Sequence, residues 1–105
     1  MLIVETSAFT RRVLKLMADE DYRLLQRVLV ADPVRGDLIR GSGGLRKIRW
    51  SGSGRGKRGG ARVIYYWAAN VQTILLLVIY SKNEQDDLSA DEMKTLRKIV
   101  EAEFK

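Results

Sequence analysis

Seven of the seventeen residues from Arg46 to Arg62 are lysine or arginine, and they are the side chains with which this chain can do chemistry. Cations packed that closely suit a phosphodiester. Breaking one in RNA takes a group to accept the proton of the ribose 2′-hydroxyl, groups to stabilise charge on a phosphorane-like transition state, and a group to protonate the departing oxygen. Arginine meets the second need, because its planar, permanently charged fork grips two phosphate oxygens. Arg49 and Arg62 project to one face if their strands are neighbours. Lysine can take or give the proton where several cations crowd together and disfavour the charged form, and Lys47 is the first candidate for that role.

The placement of charge says more than its sum of +6. No acid occurs between Asp37 and Glu84, whereas nine cations do: Arg40, Arg46, Lys47, Arg49, Arg55, Lys57, Arg58, Arg62 and Lys82. The other ten lysines and arginines share the rest of the chain with all thirteen acids, so that remainder is net −3. An ordinary solvated surface mixes both signs, and a field segregated in this way attracts a polyanion and speeds its encounter. All nine glycines lie between Gly36 and Gly60. In the loop they let backbone approach a phosphate closely while Arg55, Lys57 and Arg58 neutralise it. With Arg46 beside them, these are the expected RNA-binding residues.

Several other chemistries are excluded. Gly54-Arg55-Gly56-Lys57-Arg58-Gly59 matches the dinucleotide fingerprint as a string, but that fingerprint must open a helix, and here a strand follows with no acid at the distance that would hold a ribose. The phosphate loop of nucleotide hydrolases fails too, since Lys57 is followed by Arg58 rather than Ser or Thr. There is no Cys and no His, which removes the usual zinc ligands and the usual proton shuttle. No metal and no cofactor are expected. The longest apolar run, Val71 to Tyr80, is far short of the roughly 20 residues of a membrane-spanning helix. The first residues lack the pattern of a secretory signal, so the expected location is the cytoplasm, with no membrane partner.

These residues need a scaffold, and 105 residues allow one domain, 1–105, with one modest core. Leu2 to Glu5 reads as a strand, edge or central. Thr6 or Ser7 can cap a helix carrying Phe9, Val13 and Leu16 on one stripe, and a second helix opens at Asp19 with Tyr22, Leu25, Val28 and Leu29 until Pro33 forbids continuation. Residues 33–44 read as a turn-rich connection. In the strand Leu45 to Trp50, two-residue alternation sets Leu45, Lys47 and Arg49 on one face and Arg46, Ile48 and Trp50 on the other. After a long loop over 51–60, residues 61–68 return with Arg62, Ile64 and Tyr66 on one side. Thr73 to Tyr80 is apolar on both faces, as a strand inside the sheet must be. Ser89 and Glu92 form a capping box, with Leu88 stapled to Met93, for a helix whose stripe is Met93, Leu96, Val100 and Phe104. The fold class is therefore α+β: strand, two helices, a three-stranded antiparallel meander, helix.

Three runs, Leu45-Arg46-Lys47-Ile48-Arg49, Gly56-Lys57-Arg58-Gly59-Gly60-Ala61-Arg62-Val63-Ile64-Tyr65-Tyr66 and Ile79-Tyr80-Ser81-Lys82-Asn83-Glu84-Gln85-Asp86-Asp87-Leu88, resemble the RelE superfamily of toxins, particularly its HigB-like branch. The likeness spans essentially the whole chain, and the element order agrees with that fold. It implies a ribosome-dependent endoribonuclease that cuts messenger RNA. It also implies a cognate antitoxin, of helix-turn-helix type with an acidic segment, through which alone operator DNA would be met. By position, Lys47, Arg49 and Arg62 match the family's basic strand residues, and Lys82 matches its cation after the central strand, with Asn83 next to it in the RNA-binding set. Several relatives place a second arginine after that lysine and a tyrosine near the start of the last helix, where this chain has Asn83, Leu88 and Ser89. Proton transfer then falls to Lys47, to a loop lysine such as Lys57, or partly to ribosomal RNA. Two rival readings remain from the sequence. One is a toxin on the same scaffold that poisons DNA gyrase, and the other is a plain RNA-binding module.

Overall fold

Conspicuous side chains set the helix boundaries in the computed structural model, which describes residues 1–51 and 60–104. β1 (Leu2–Glu5) leads into α1 (Ser7–Leu16), and the cap is Thr6, whose hydroxyl accepts from the Phe9 N–H at 3.1 Å. That hydroxyl also donates to the Leu77 carbonyl at 2.6 Å, so the cap ties the helix to a strand. α2 (Asp19–Ala31) carries Asp19, Glu20 and Asp21 in its first turn, where the helix dipole favours anions. It stops two residues before Pro33, which cannot continue it. α3 (Ala90–Glu103) begins with both hydrogen bonds of the Ser89–Glu92 capping box in place, and Leu88 packs in the same apolar cluster as Met93. Ser89→Ala is expected to cost about 1 kcal/mol, read as a lower urea midpoint.

The strands β2 (Asp37–Leu38), β3 (Leu45–Trp50), β4 (Ala61–Ala68) and β5 (Thr73–Ser81) join β1 in one sheet of order β1-β5-β4-β3-β2. β1 runs parallel to β5, and every other neighbouring pair is antiparallel. β5 is enclosed between β1 and β4, and because helices cover both faces of the sheet at this strand its residues are apolar on both sides. The connection over 33–44 is more ordered than its turn-rich composition suggests. It contains β2, opposite Arg46 and Lys47, a strand too short for any alternation to show in sequence. The backbone leading into β2 is held from the sheet. The Tyr65 hydroxyl donates to the Pro33 carbonyl at 2.8 Å and accepts from the Gly36 N–H at 2.9 Å. A Cβ at Gly36 would sit 2.8 Å from the Tyr65 ring, so only glycine lets the chain pass there.

Apolar residues fill both sides of the sheet. On one side Phe9, Val13, Met17, Tyr22, Leu25 and Leu29 of the helical hairpin pack on Ile48, Val63, Tyr65, Ile74, Leu76 and Ile79. On the other, Leu96 with half-buried Met93 and Val100 of α3, and Phe104 at its C-terminal cap, packs on Leu45, Ile64, Leu75 and Leu77. Alternation along β5 breaks once. The register with β4 slips so that Ile64 faces Val78 while Tyr65 faces Leu76, leaving Leu77 as an extra residue. Beyond that bulge the faces exchange, and Tyr80 joins Leu75 and Leu77 on the α3 side. No helix among the described residues is long and apolar enough to cross a membrane.

Candidate active site

α3 covers only part of its side of the sheet. Leu45 and Tyr66 lie under Val100 and Phe104, with the Tyr66 and Phe104 rings 5.7 Å apart. Farther along the same face stand Lys47 and Arg49 of β3 and Arg62 of β4. Arg49 and Arg62 are direct cross-strand partners, Lys47 is opposite Ile64, and Arg62 is opposite Tyr80 of β5. Antiparallel pairing brings directly opposed residues within about 5.5 Å at Cα. The three residues expected to share a face from alternation therefore do so, on adjacent strands. Tyr80 is a fourth member that strict alternation would have sent to the opposite face.

The segment between β5 and α3 folds over this cluster and supplies anions. Lys47 Nζ lies 2.6 Å from an Asp87 carboxylate oxygen and donates to the Asp86 carbonyl at 3.1 Å. Arg62 Nε lies 3.1 Å from the Asp86 carboxylate. The Tyr80 hydroxyl donates to the Asp86 carbonyl at 3.3 Å. Arg49 is exposed and makes no hydrogen bond or ion pair among the described residues, although its charge reaches Asp86. The lysine set among cations that the sequence suggests is thus, in the fold, a lysine paired with a carboxylate. Neither Asp86 nor Asp87 is flagged by the sequence. The available signal is that they follow the strand next to Arg62 and lie, with Glu84, among the first acids after the long acid-free stretch.

The electrostatics follow from these contacts. The Arg62 guanidinium, helped by the charges of Lys47 and Arg49, holds the Asp86 carboxyl below its usual range. Tyr80 is pushed up to about 12, by burial first and then by the carboxylates of Asp87, Asp86 and Glu92. It stays protonated at neutral pH, a donor rather than a base. A carboxyl whose folded pKa is depressed contributes stability that is present above the unfolded value and lost as pH falls through the folded one. The difference in urea midpoint between the wild type and Asp86→Asn is accordingly expected to shrink as pH falls below the ordinary carboxylate range and through the depressed value of the folded protein.

The other expected contacts divide. Arg46 is on the hairpin side, where its Nη1 donates to the Val34 carbonyl at 3.2 Å and the Gly36 carbonyl at 2.7 Å. It braces the connection into β2 and is not brought to the cluster. Lys82 and Asn83 are exposed in the turn after β5, and neither side chain makes a hydrogen bond or ion pair among the described residues. That turn is anchored by Glu84, which accepts from Arg12 at 2.7 and 2.8 Å and from the Ser81 N–H at 2.9 Å. The expected loop contacts Arg55, Lys57 and Arg58 lie outside the described residues.

A family model described as the RelE toxin of the RelE/RelB toxin–antitoxin system matches residues 1–105. Among solved structures, the chain is similar to one in the crystal structure of the intact E. coli RelBE toxin–antitoxin complex, with 13% identity over 76% of this chain and 94% of that one, at a TM-score of 0.57. It is also similar to a doubly substituted mutant of the E. coli toxin RelE in the free state, with 14% identity over 80% of this chain and 85% of that one, at a TM-score of 0.59. At these identities the structural likeness speaks for the fold, and the family match speaks for the kind of protein.

Proposed function

The chain belongs to the RelE toxin family of toxin–antitoxin systems, and on that premise we propose that it is a metal-independent endoribonuclease that cuts messenger RNA on the ribosome and so stops translation. The observation that carries this reading is the register that puts Arg49 and Arg62 directly opposite each other with Lys47 on the same face. The 2′-oxygen attacks phosphorus in line with the departing 5′-oxygen. One P–O bond forms, one breaks, and a cyclic phosphate and a 5′-hydroxyl remain. Arg49 and Arg62 stabilise the charge that accumulates on the phosphoryl oxygens. Lys47 donates the proton needed by the leaving oxygen, and the proton of the 2′-hydroxyl passes to a basic group of the ribosomal RNA, so one proton leaves the nucleophile and one reaches the leaving group. Tyr80 holds the neighbouring backbone as a hydrogen-bond donor. Lys82 and Asn83 contact flanking RNA from the turn after β5, and Arg55, Lys57 and Arg58, which lie outside the described residues, are assigned the same role.

The partners follow from the same reading: the ribosome and its messenger as target, and a cognate antitoxin, of helix-turn-helix type with an acidic segment, as inhibitor. Operator DNA would be reached only through that antitoxin, and the site of action is the cytoplasm. The test is expression in a translating extract, with messenger ends mapped by primer extension. New ends are expected with the wild type and not with Lys47→Ala. Cleavage by Lys47→Ala at the wild-type rate would remove Lys47 from the chemistry, and a wild type that cuts nothing while messenger is being translated would end the nuclease reading.

A further inference from the structure

The cations assigned to the phosphate are already occupied by the chain's own acids. Lys47 and Arg62 keep only 13% and 7% of their side-chain surface exposed, whereas the carboxylates on them face outward, Asp87 at 79% and Asp86 at 53%. No RNA phosphate reaches either cation while those carboxylates stay where they are. We propose that residues Asp86 and Asp87 form an autoinhibitory strap, a pair of carboxylates that occupies the phosphate-binding positions of Lys47 and Arg62 and must lift off before an RNA strand can enter. This rests on the nuclease reading for its consequence, but the contact itself does not.

The construction of the segment suits such a movement. Its two ends are pinned by different means: Glu84 by both carboxylate oxygens accepting from Arg12 Nη2, and Leu88 by packing in the α3 cluster just ahead of the Ser89 cap. Between these anchors Asp86 and Asp87 are exposed and are held to the basic face by polar contacts with Lys47, Arg62 and Tyr80. Ion pairs whose carboxylate stands in water are weakened because water and salt compete for that partner. A polyanion arriving with several phosphates competes for the same two cations and repels the strap as it does so. Arg49, without an ion pair among the described residues, remains exposed to make the first contact. The toxin is therefore held back in its free state by its own acids, and displacement of the strap by RNA, not assembly of the site, is the step that opens it.

The test uses the full chain and a single-stranded RNA oligonucleotide with 2′-O-methyl riboses, which binds without being cut. Asp86→Asn with Asp87→Asn is compared with Glu101→Gln plus Glu103→Gln, a control on α3 that changes net charge equally. The strap variant is expected to bind on the order of tenfold tighter than the wild type at low salt, and the control less than about twofold. In parallel, acetylation of Lys47 by limiting acetic anhydride is followed by mass spectrometry with Lys94 and Lys98 as internal references. Lys47 is expected to react several-fold faster in the strap variant. Equal tightening in the two variants, or unchanged Lys47 reactivity, would overturn the proposal. Neither measurement depends on cleavage. If the wild type cuts no messenger, the nuclease reading fails while these two results still decide the strap.

Discussion

Replacing Arg62 by alanine is expected to reduce messenger cleavage by roughly two to three orders of magnitude, the usual loss when one preorganised donor to a developing oxyanion is removed. Arg62 is placed for that role by two strand registers at once, opposite Arg49 on β3 and opposite Tyr80 on β5. Arg62→Lys keeps the charge and loses the planar fork, so most of the deficit is expected to persist. Unfolding is the competing explanation. The carboxylate left behind in Arg62→Ala, that of Asp86, is exposed and rehydrates freely, so the circular dichroism spectrum and a cooperative urea transition should be retained. Cleavage at the wild-type rate by a folded Arg62→Ala protein would show that the basic face does not hold the reacting phosphate.

The largest stability loss is expected at Leu76. It is fully buried in β5, with Glu5 of β1 and Tyr65 of β4 as its strand partners, beneath the helical hairpin. Leu76→Ala leaves a cavity in a layer closed by strands on both sides, at a cost of about 2–5 kcal/mol. Against a total of about 5–15 kcal/mol for a domain of this kind, that takes the protein close to unfolding at growth temperature. Leu24→Ala is the useful comparison, because Leu24 is exposed on α2, and changes there usually stay within about 0.5 kcal/mol. Urea midpoints of the two variants should differ widely, and coincident midpoints would mean that the layer under the hairpin is not the core.

Much of the fold was legible because its signals are local. Caps at Thr6 and Ser89, the stop before Pro33, and the two-residue alternation of β3 and β4 depend on neighbours in the chain, and the elements begin and end where those residues place them. β2 was not legible. Two residues carry no period, and that strand exists because Tyr65 and Arg46, distant in sequence, hold the chain leading into it. Arg46 shows the limit of counting charge: it belongs to the basic run but spends its guanidinium on backbone carbonyls across the sheet from the cluster.

The basic residues between Arg46 and Arg62 make the point most clearly. By itself the sequence determined that Lys47 and Arg49 share a face, since the pleat of a strand turns every second side chain the same way, and it made Arg62's place beside them conditional on β3 and β4 being neighbours, which the register bears out. Only the tertiary structure decided what meets them there. A bulge at Leu77 exchanged the faces of β5 and delivered Tyr80 to the cluster, and the return of the chain from β5 to α3 laid Asp86 and Asp87 on its cations. Alternation is a property of one strand, whereas register slips and the path of a connection depend on how separate elements pack, and no short stretch of sequence records that.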